Sequence, residues 1–246
     1  ILVIYPFGPN ENLLDELDTR NPPTKPDFRN IMGTDDRGRD VFARLVYGFR
    51  ISMSFSLILT FFEYLIGIIY GASMGYFGGK TDFFGMWFIE IWSSIPFLYM
   101  VMIISAVLQP NFMLLILIIS LFSWIGMAWY IRAEFLREKS KEYVQAAVSI
   151  GVKDHKIIFK HILPNSLTPL VTFLPFTVIS GILSLVSLDF LGFGLPEPTP
   201  SWGELLNQGT RNLNYWWLTV SPVSAMFFTL ILITFIGEAI REAFDP

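Results

Sequence analysis

The 246-residue chain has no cysteine and only two histidines. The first absence excludes a disulfide framework, an iron–sulfur cluster and any thiolate metal site. The second leaves His155 and His161 on one short polar segment, too little for a zinc or haem enzyme, and no metal site is expected. Charge is scarce as well: 15% of residues are Asp, Glu, Lys or Arg, against 53% hydrophobic and 16% aromatic. That balance describes a polytopic, all-α membrane protein rather than a soluble core. The formal net charge of −4 says little, because in such a chain charge matters by location. No Walker loop or Ser-His-Asp set is present and nothing points to nucleic acid, so the chain is not expected to be an enzyme or to bind a cofactor.

What is present is a series of apolar runs, each near the roughly 20 residues a membrane-spanning helix needs. They cover 51–76, 83–108, 112–130, 168–188 and a last stretch ending near 236, which makes five visible spans. Residues 1–50 are polar and carry Pro6, Pro9, Pro22, Pro23 and Pro26, so they read as an extended extramembrane segment leading into a transmembrane domain over 51–246. Within that segment Thr34 with Asp35 reads as a helix start, and Arg44 and Arg50 as snorkelling residues. Gly67, Gly71 and Gly75 recur every four residues and let another helix approach closely, either from the same chain or from a partner subunit. Pro96 is expected to kink the second span, and Pro169 and Pro175 to interrupt the fourth. Trp216 and Trp217 fall where an aromatic belt belongs.

Between the third and fourth spans lies a polar loop, 132–166, of unusual construction. Tyr143, Ala146, Ala147 and Ile150 share a helical face, Gly151 suits a left-handed helix stop, and Asp154 can cap a second helix ending at Leu163-Pro164. Seven basic residues crowd this loop: Arg132, Arg137, Lys139, Lys141, Lys153, Lys156 and Lys160. By the positive-inside rule it faces the cytoplasm, and parity then puts 1–50 and 189–216 outside. Arg37, Arg39, Arg44 and Arg50 resist this assignment, since they precede the first span on the outer side. An odd number of spans with an outward start, in a chain opening at Ile1, also leads us to expect a further span before it.

The loop resembles the signature of ABC importer membrane subunits: Glu-Ala-Ala, three residues, Gly, nine residues, Ile, one residue, Leu-Pro. Ala146, Ala147, Gly151, Leu163 and Pro164 stand at that spacing, with Gln145 in place of the Glu and His161 in place of the Ile. Two further stretches are similar to the C-type permeases of oligopeptide, dipeptide and nickel importers. They are Met32-Gly33-Thr34-Asp35 with Gly38-Arg39-Asp40, and Phe190-Leu191-Gly192-Phe193-Gly194-Leu195-Pro196 with Trp202-Gly203. Asp189 with Gly-Leu-Pro resembles the subgroup associated with microcin C and related peptides.

The resemblance implies a type I ABC importer transmembrane domain in the cytoplasmic (inner) membrane of a prokaryote. It implies a second permease subunit, two ATPase subunits carrying ATP and Mg, and an extracytoplasmic solute-binding protein. It also implies that the loop couples to an ATPase through Gln145, Ala146, Ala147, Gly151, His161, Leu163 and Pro164. A hairpin resting on lipid headgroups needs neither the fixed Gly nor the Leu-Pro ending. For the translocation path the candidates are Glu90, Ser94, Pro96 and Asp189, with Glu63 and Glu238 as further carboxylates in or beside spans. Each of these could instead be hydrogen-bonded to a neighbouring helix, and Asp189 could cap its loop or pair with Arg211. Nickel import is the alternative within the family. An ion-coupled transporter would show internal repeats, and an intramembrane protease a nucleophile–base pair; neither is evident.

Overall fold

The computed structural model describes residues 8–11 and 22–244. The remainder of the expected extramembrane segment, 1–7 and 12–21, and the last two residues lie outside the described residues. Nine α-helices are described: α1 Val41–Phe77, α2 Gly79–Ser93, α3 Phe97–Val107, α4 Phe112–Lys139, α5 Glu142–Ser149, α6 Asp154–Lys156, α7 Leu163–Leu191, α8 Trp202–Arg211 and α9 Trp216–Phe244. Four of the long helices are apolar enough to cross a membrane, and α2 with α3, bent by 65°, are apolar enough only when taken together, as a broken span or a re-entrant pair. The bend falls at Pro96, where the missing N–H and the ring's clash with the preceding turn forbid a straight helix.

Several boundaries differ from expectation. The first helix begins at Val41, ten residues before the apolar run at 51, because Asp40 caps it by accepting the Ala43 N–H at 2.8 Å. Asp40 therefore holds the helix start expected of Thr34-Asp35. The third span continues as helix to Lys139, so the non-helical part of the 132–166 loop is confined to 140–141 and 150–153. No helix stops at Leu163-Pro164: α6 passes through a π-helical turn, Ile157–Ile162, directly into α7. Pro164 has no N–H to give the helix ladder, and the widened turn directly ahead of it carries the chain into α7 without a stop. Positions 169 and 175 likewise lie inside a continuous α7 rather than interrupting it.

The chain forms two compact units. One comprises Ile1–Leu57, Ser105–Leu115 and Thr177–Phe235. Its core joins Val41 and Leu45 of α1, Ile182 and Val186 of α7, Trp202 and Leu205 of α8, and Trp217 of α9. Trp202 donates its indole N–H to the Leu45 carbonyl at 2.9 Å and lies against Gly48, where a Cβ would sit 2.9 Å from the ring. Trp217 is buried too, donating to the Thr34 carbonyl at 3.1 Å, so only Trp216 of the expected aromatic pair is exposed.

The other unit comprises Ile58–Ile104, Ile116–Phe176 and Ile236–Pro246. Here the four-residue glycine ladder of α1 packs on α4 of the same chain. A Cβ at Gly71 would lie 2.4 Å from the Ala128 carbonyl oxygen, and one at Gly75 would lie 2.6 Å from Phe135 Cβ. Backbones in such contact gain dispersion that bulkier residues would forbid, which is how helices associate in lipid. Below the ladder, Phe135, Val144, Ala147, Ile157 and Ile162 close a second cluster.

Candidate functional site

The loop after α4 is a rigid two-helix device. Gly151 takes φ +78°, and α5 ends in a Schellman motif: Val152 N–H bonds the Ala147 carbonyl at 3.1 Å and Gly151 N–H that of Val148 at 3.0 Å. Only glycine enters this backbone region without steric cost. Val144 and Ala147 turn inward to the core, so the face shared by Tyr143, Ala146, Ala147 and Ile150 is not a single docking surface. Ala147 is 7% exposed and packs within its own chain. Ala146 stays on the surface, and the outward apolar residues are Val148, Ile150 at 80% exposure, and Phe159. Lys153, Lys156 and Lys160 lie on the same short segment, exposed and in no ion pair among the described residues.

Hydrogen bonds fix this loop at both ends. Gln145 donates to the Lys139 carbonyl at 2.8 Å. Tyr143 donates to Glu138 at 2.7 Å and receives the Asn165 side-chain N–H at 3.0 Å, while the same Asn165 amide reaches the His161 carbonyl. Burial and the neighbouring Glu138 carboxylate push the Tyr143 phenol above its ordinary value. Asp154 accepts the Tyr76 hydroxyl at 2.7 Å. Leu163 is half-buried and Pro164 exposed, both at the start of α7.

The pathway candidates divide. Glu90 and Ser94 are exposed next to the α2–α3 bend, and Pro96 makes that bend. Ser94 donates its hydroxyl back to the Ile91 carbonyl at 2.7 Å, the bond expected of a serine finishing a helix. Asp189 is 8% exposed. It accepts the Leu195 N–H at 2.7 Å and the Ser201 hydroxyl, while Ser201 in turn caps α8 through the N–H groups of Gly203 and Glu204. Gly194 and Gly203 press on it so closely that a Cβ at either would collide with Asp189 atoms. Asp189 is therefore the keystone of the 189–204 loop, its partners being Leu195 and Ser201 rather than Arg211.

A set of residues not predicted as a site forms a buried ion-pair network among the described residues. Asp35, Arg39 and Arg44 are 0, 4 and 0% exposed. Arg39 meets Asp35 at 2.6 Å and Glu204 at 3.0 Å; Arg44 pairs with the other oxygen of Glu204 and lies 3.5 Å from Asp35. Arg44 also donates to the Pro9, Pro198 and Thr199 carbonyls, and Gln208 donates to Glu204 at 2.9 Å. Burial alone would lower the Arg39 guanidinium, but Asp35 and Glu204 hold it above its ordinary value. Arg37 pairs with Glu197. Three of the four arginines that resisted the positive-inside rule are thus neutralised within the protein, and Arg44 is buried rather than snorkelling. The nearby acids Asp35, Asp36 and Asp40 were the signal in the sequence, and Asp35 is the one that pairs with Arg39 and Arg44; Glu204, distant along the chain, was missed. No cluster of three metal-ligating side chains is found among the described residues.

Residues 67–246 match the family described as binding-protein-dependent transport system inner membrane component. The chain is 48% identical over 224 residues to the inner membrane ABC transporter permease protein YejE of Escherichia coli K12, covering 91% of this chain and 66% of that protein. It is 51% identical over 217 residues to the peptidoglycan transport system permease protein YejE of Agrobacterium fabrum, covering 88% and 57%. It is 39% identical over 218 residues to the oligopeptide transport system permease protein OppC of Haemophilus influenzae, covering 88% and 70%. The chain thus spans just under two thirds of the first relative's length and little more than half of the second's. In fold it is similar to a chain of the MetNI methionine ABC transporter, with a TM-score of 0.68 at 18% identity over 82% of this chain and 97% of that one.

Proposed function

Because the chain belongs to the binding-protein-dependent transport system inner membrane component family, we propose that it is a permease subunit of an ATP-driven importer in the inner membrane. Its cargo is peptides or peptide-like solutes, a reading supported by relatives named for peptidoglycan and oligopeptide transport. It works with a second permease subunit, with two ATPase subunits that bind ATP and Mg, and with an extracytoplasmic solute-binding protein. This chain hydrolyses nothing itself.

The observation that carries the reading is the loop built on Gly151. A helix stop, a left-handed glycine and a continuous helix into α7 present Val148, Ile150 and Phe159 on a stiff support. Exposed apolar groups with lysines on the same segment form a surface for a protein partner, because their burial removes apolar area from water while the lysines steer the approach. The α6–α7 continuity provides a mechanical route: displacement of the loop is displacement of the end of a membrane-spanning helix.

The test is to make Ala146→Trp and Ile150→Asp, both at exposed positions, and to measure copurification with the ATPase subunits and ATP-dependent uptake. Both variants are expected to insert in the membrane and to lose uptake, with ATP hydrolysis no longer responding to solute. Wild-type uptake by both would remove the loop as the coupling surface.

A further inference from the structure

The cations ahead of and within the first turns of α1 fall into two sets. Arg37, Arg39 and Arg44 have acidic partners inside the protein. Lys25, Arg29 and Arg50 are exposed and enter no ion pair among the described residues. All three adjoin residues that line one apolar groove: Lys25 precedes Pro26, Arg29 stands two residues before Ile31, and Arg50 follows Phe49. Asp27, the single acid of segment 22–31, directs a carboxylate oxygen to the backbone N–H groups of Arg29 and Asn30.

The groove has a volume of about 590 Å³. Phe42, Val46 and Phe49 of α1 line it together with Trp216, Val220, Ser221, Ser224 and Phe228 of α9. Both helices are apolar enough to cross a membrane, and the groove lies at the N-terminal end of each. Of the segment that leads to it, Phe28 is fully exposed and the lining residue Ile31 is 60% exposed. Exposed apolar side chains, an exposed tryptophan and unpaired cations together describe a surface at headgroup depth.

We propose that this groove binds one anionic phospholipid, with an acyl chain between α1 and α9 and its phosphate against Lys25, Arg29 and Arg50. The cations select this occupant. A packed polypeptide helix would need only the apolar walls, and at 10–12 Å across it would take up the whole volume within a turn or two. A phosphate needs the cations and leaves the walls to the chain. The counter-ions that these cations lack among the described residues are then supplied by the bilayer.

The experiment uses the assembled transporter in nanodiscs containing a photoactivatable phosphatidylglycerol or the matching phosphatidylcholine, with mass-spectrometric mapping of the labelled peptides. The expected result is labelling of 42–49 and 216–229, with phosphatidylglycerol well ahead of phosphatidylcholine. Replacing Lys25, Arg29 and Arg50 by Ala together should lower that preference by about fivefold for each cation, while labelling of the groove persists. Ser224→Trp, which puts a large side chain into the groove's lining, should abolish labelling by either lipid; if it fails to assemble, Ser221→Leu serves. Equal labelling by the two lipids in the wild type overturns the proposal. So does an unlabelled groove beside labelled Phe227 and Phe235 on the open face of α9, which would show a polypeptide in the groove. None of these readouts depends on transport.

Discussion

Arg44 sits within the first turns of a membrane-spanning helix with none of its side chain exposed. Its charge is tolerated there because Asp35 and Glu204 lie within ion-pair distance and the Pro198 and Thr199 carbonyls each accept from one of its two terminal nitrogens. Removing Arg44 leaves two carboxylates, Asp35 and Glu204, to share the single Arg39, and an uncompensated buried charge costs about 3–5 kcal/mol. Arg44→Ala is therefore expected to lower the thermal unfolding midpoint of the purified complex sharply. Arg44→Lys should not rescue it, because a single ammonium cannot serve acceptors arranged around a planar fork. Glu204→Gln should fall between the two. Asp189 poses a different question, since its carboxylate has been committed to Leu195 and Ser201. Asp189→Ala is expected to cost about 1–3 kcal/mol, the penalty for orphaned buried donors. The ratio of cationic to neutral peptide uptake should stay at the wild-type value, and a selective loss of cationic peptide would instead put Asp189 on the pathway.

At the scale of elements, the α1–α4 contact rests on three residues without a Cβ. Gly71→Ala places a methyl 2.4 Å from the Ala128 carbonyl oxygen, a backbone atom that cannot step aside. The helices must part, at a cost of about 1–3 kcal/mol for overpacking. Gly126→Ala is the matched control, because nothing lies within 4 Å of its Cβ position. Detergent stability should drop for the first and hold for the second; equal behaviour would show that the ladder does not carry the contact. The end of α5 obeys a different rule. A Cβ at Gly151 would meet no atom within 4 Å, yet the φ of +78° still disfavours any L side chain. Gly151→Ala is expected to cost about 1–2 kcal/mol through backbone conformation alone. Hydrogen–deuterium exchange should show it as faster exchange at Gly151 and Val152, whose N–H groups close the Schellman motif.

At the scale of the whole molecule, the absence of native cysteine makes membrane sidedness directly measurable. Cysteines at Leu213 and Lys153, both exposed, should behave oppositely toward a membrane-impermeant thiol reagent. Leu213→Cys is expected to react in intact cells and Lys153→Cys only after permeabilisation; the reverse pattern would invert the assignment. The class of the fold, the apolar spans, the Pro96 bend and the Gly151 stop were legible in the sequence, and the sidedness is the expectation that the same reading makes. Each is written in residues close together along the chain: a run of apolar side chains, a ring that removes an N–H, a residue without a Cβ. The helix bounds at Val41 and through Pro164 were not, because a run of apolar residues marks what lipid accepts and not where backbone hydrogen bonds begin and end. Tertiary structure alone decided which face of α5 turns inward, placing Ala147 in the core and leaving Ile150 outside. It alone decided that Arg44 would find Glu204 across 160 positions of sequence, since the partner of a charge is set by distance in space.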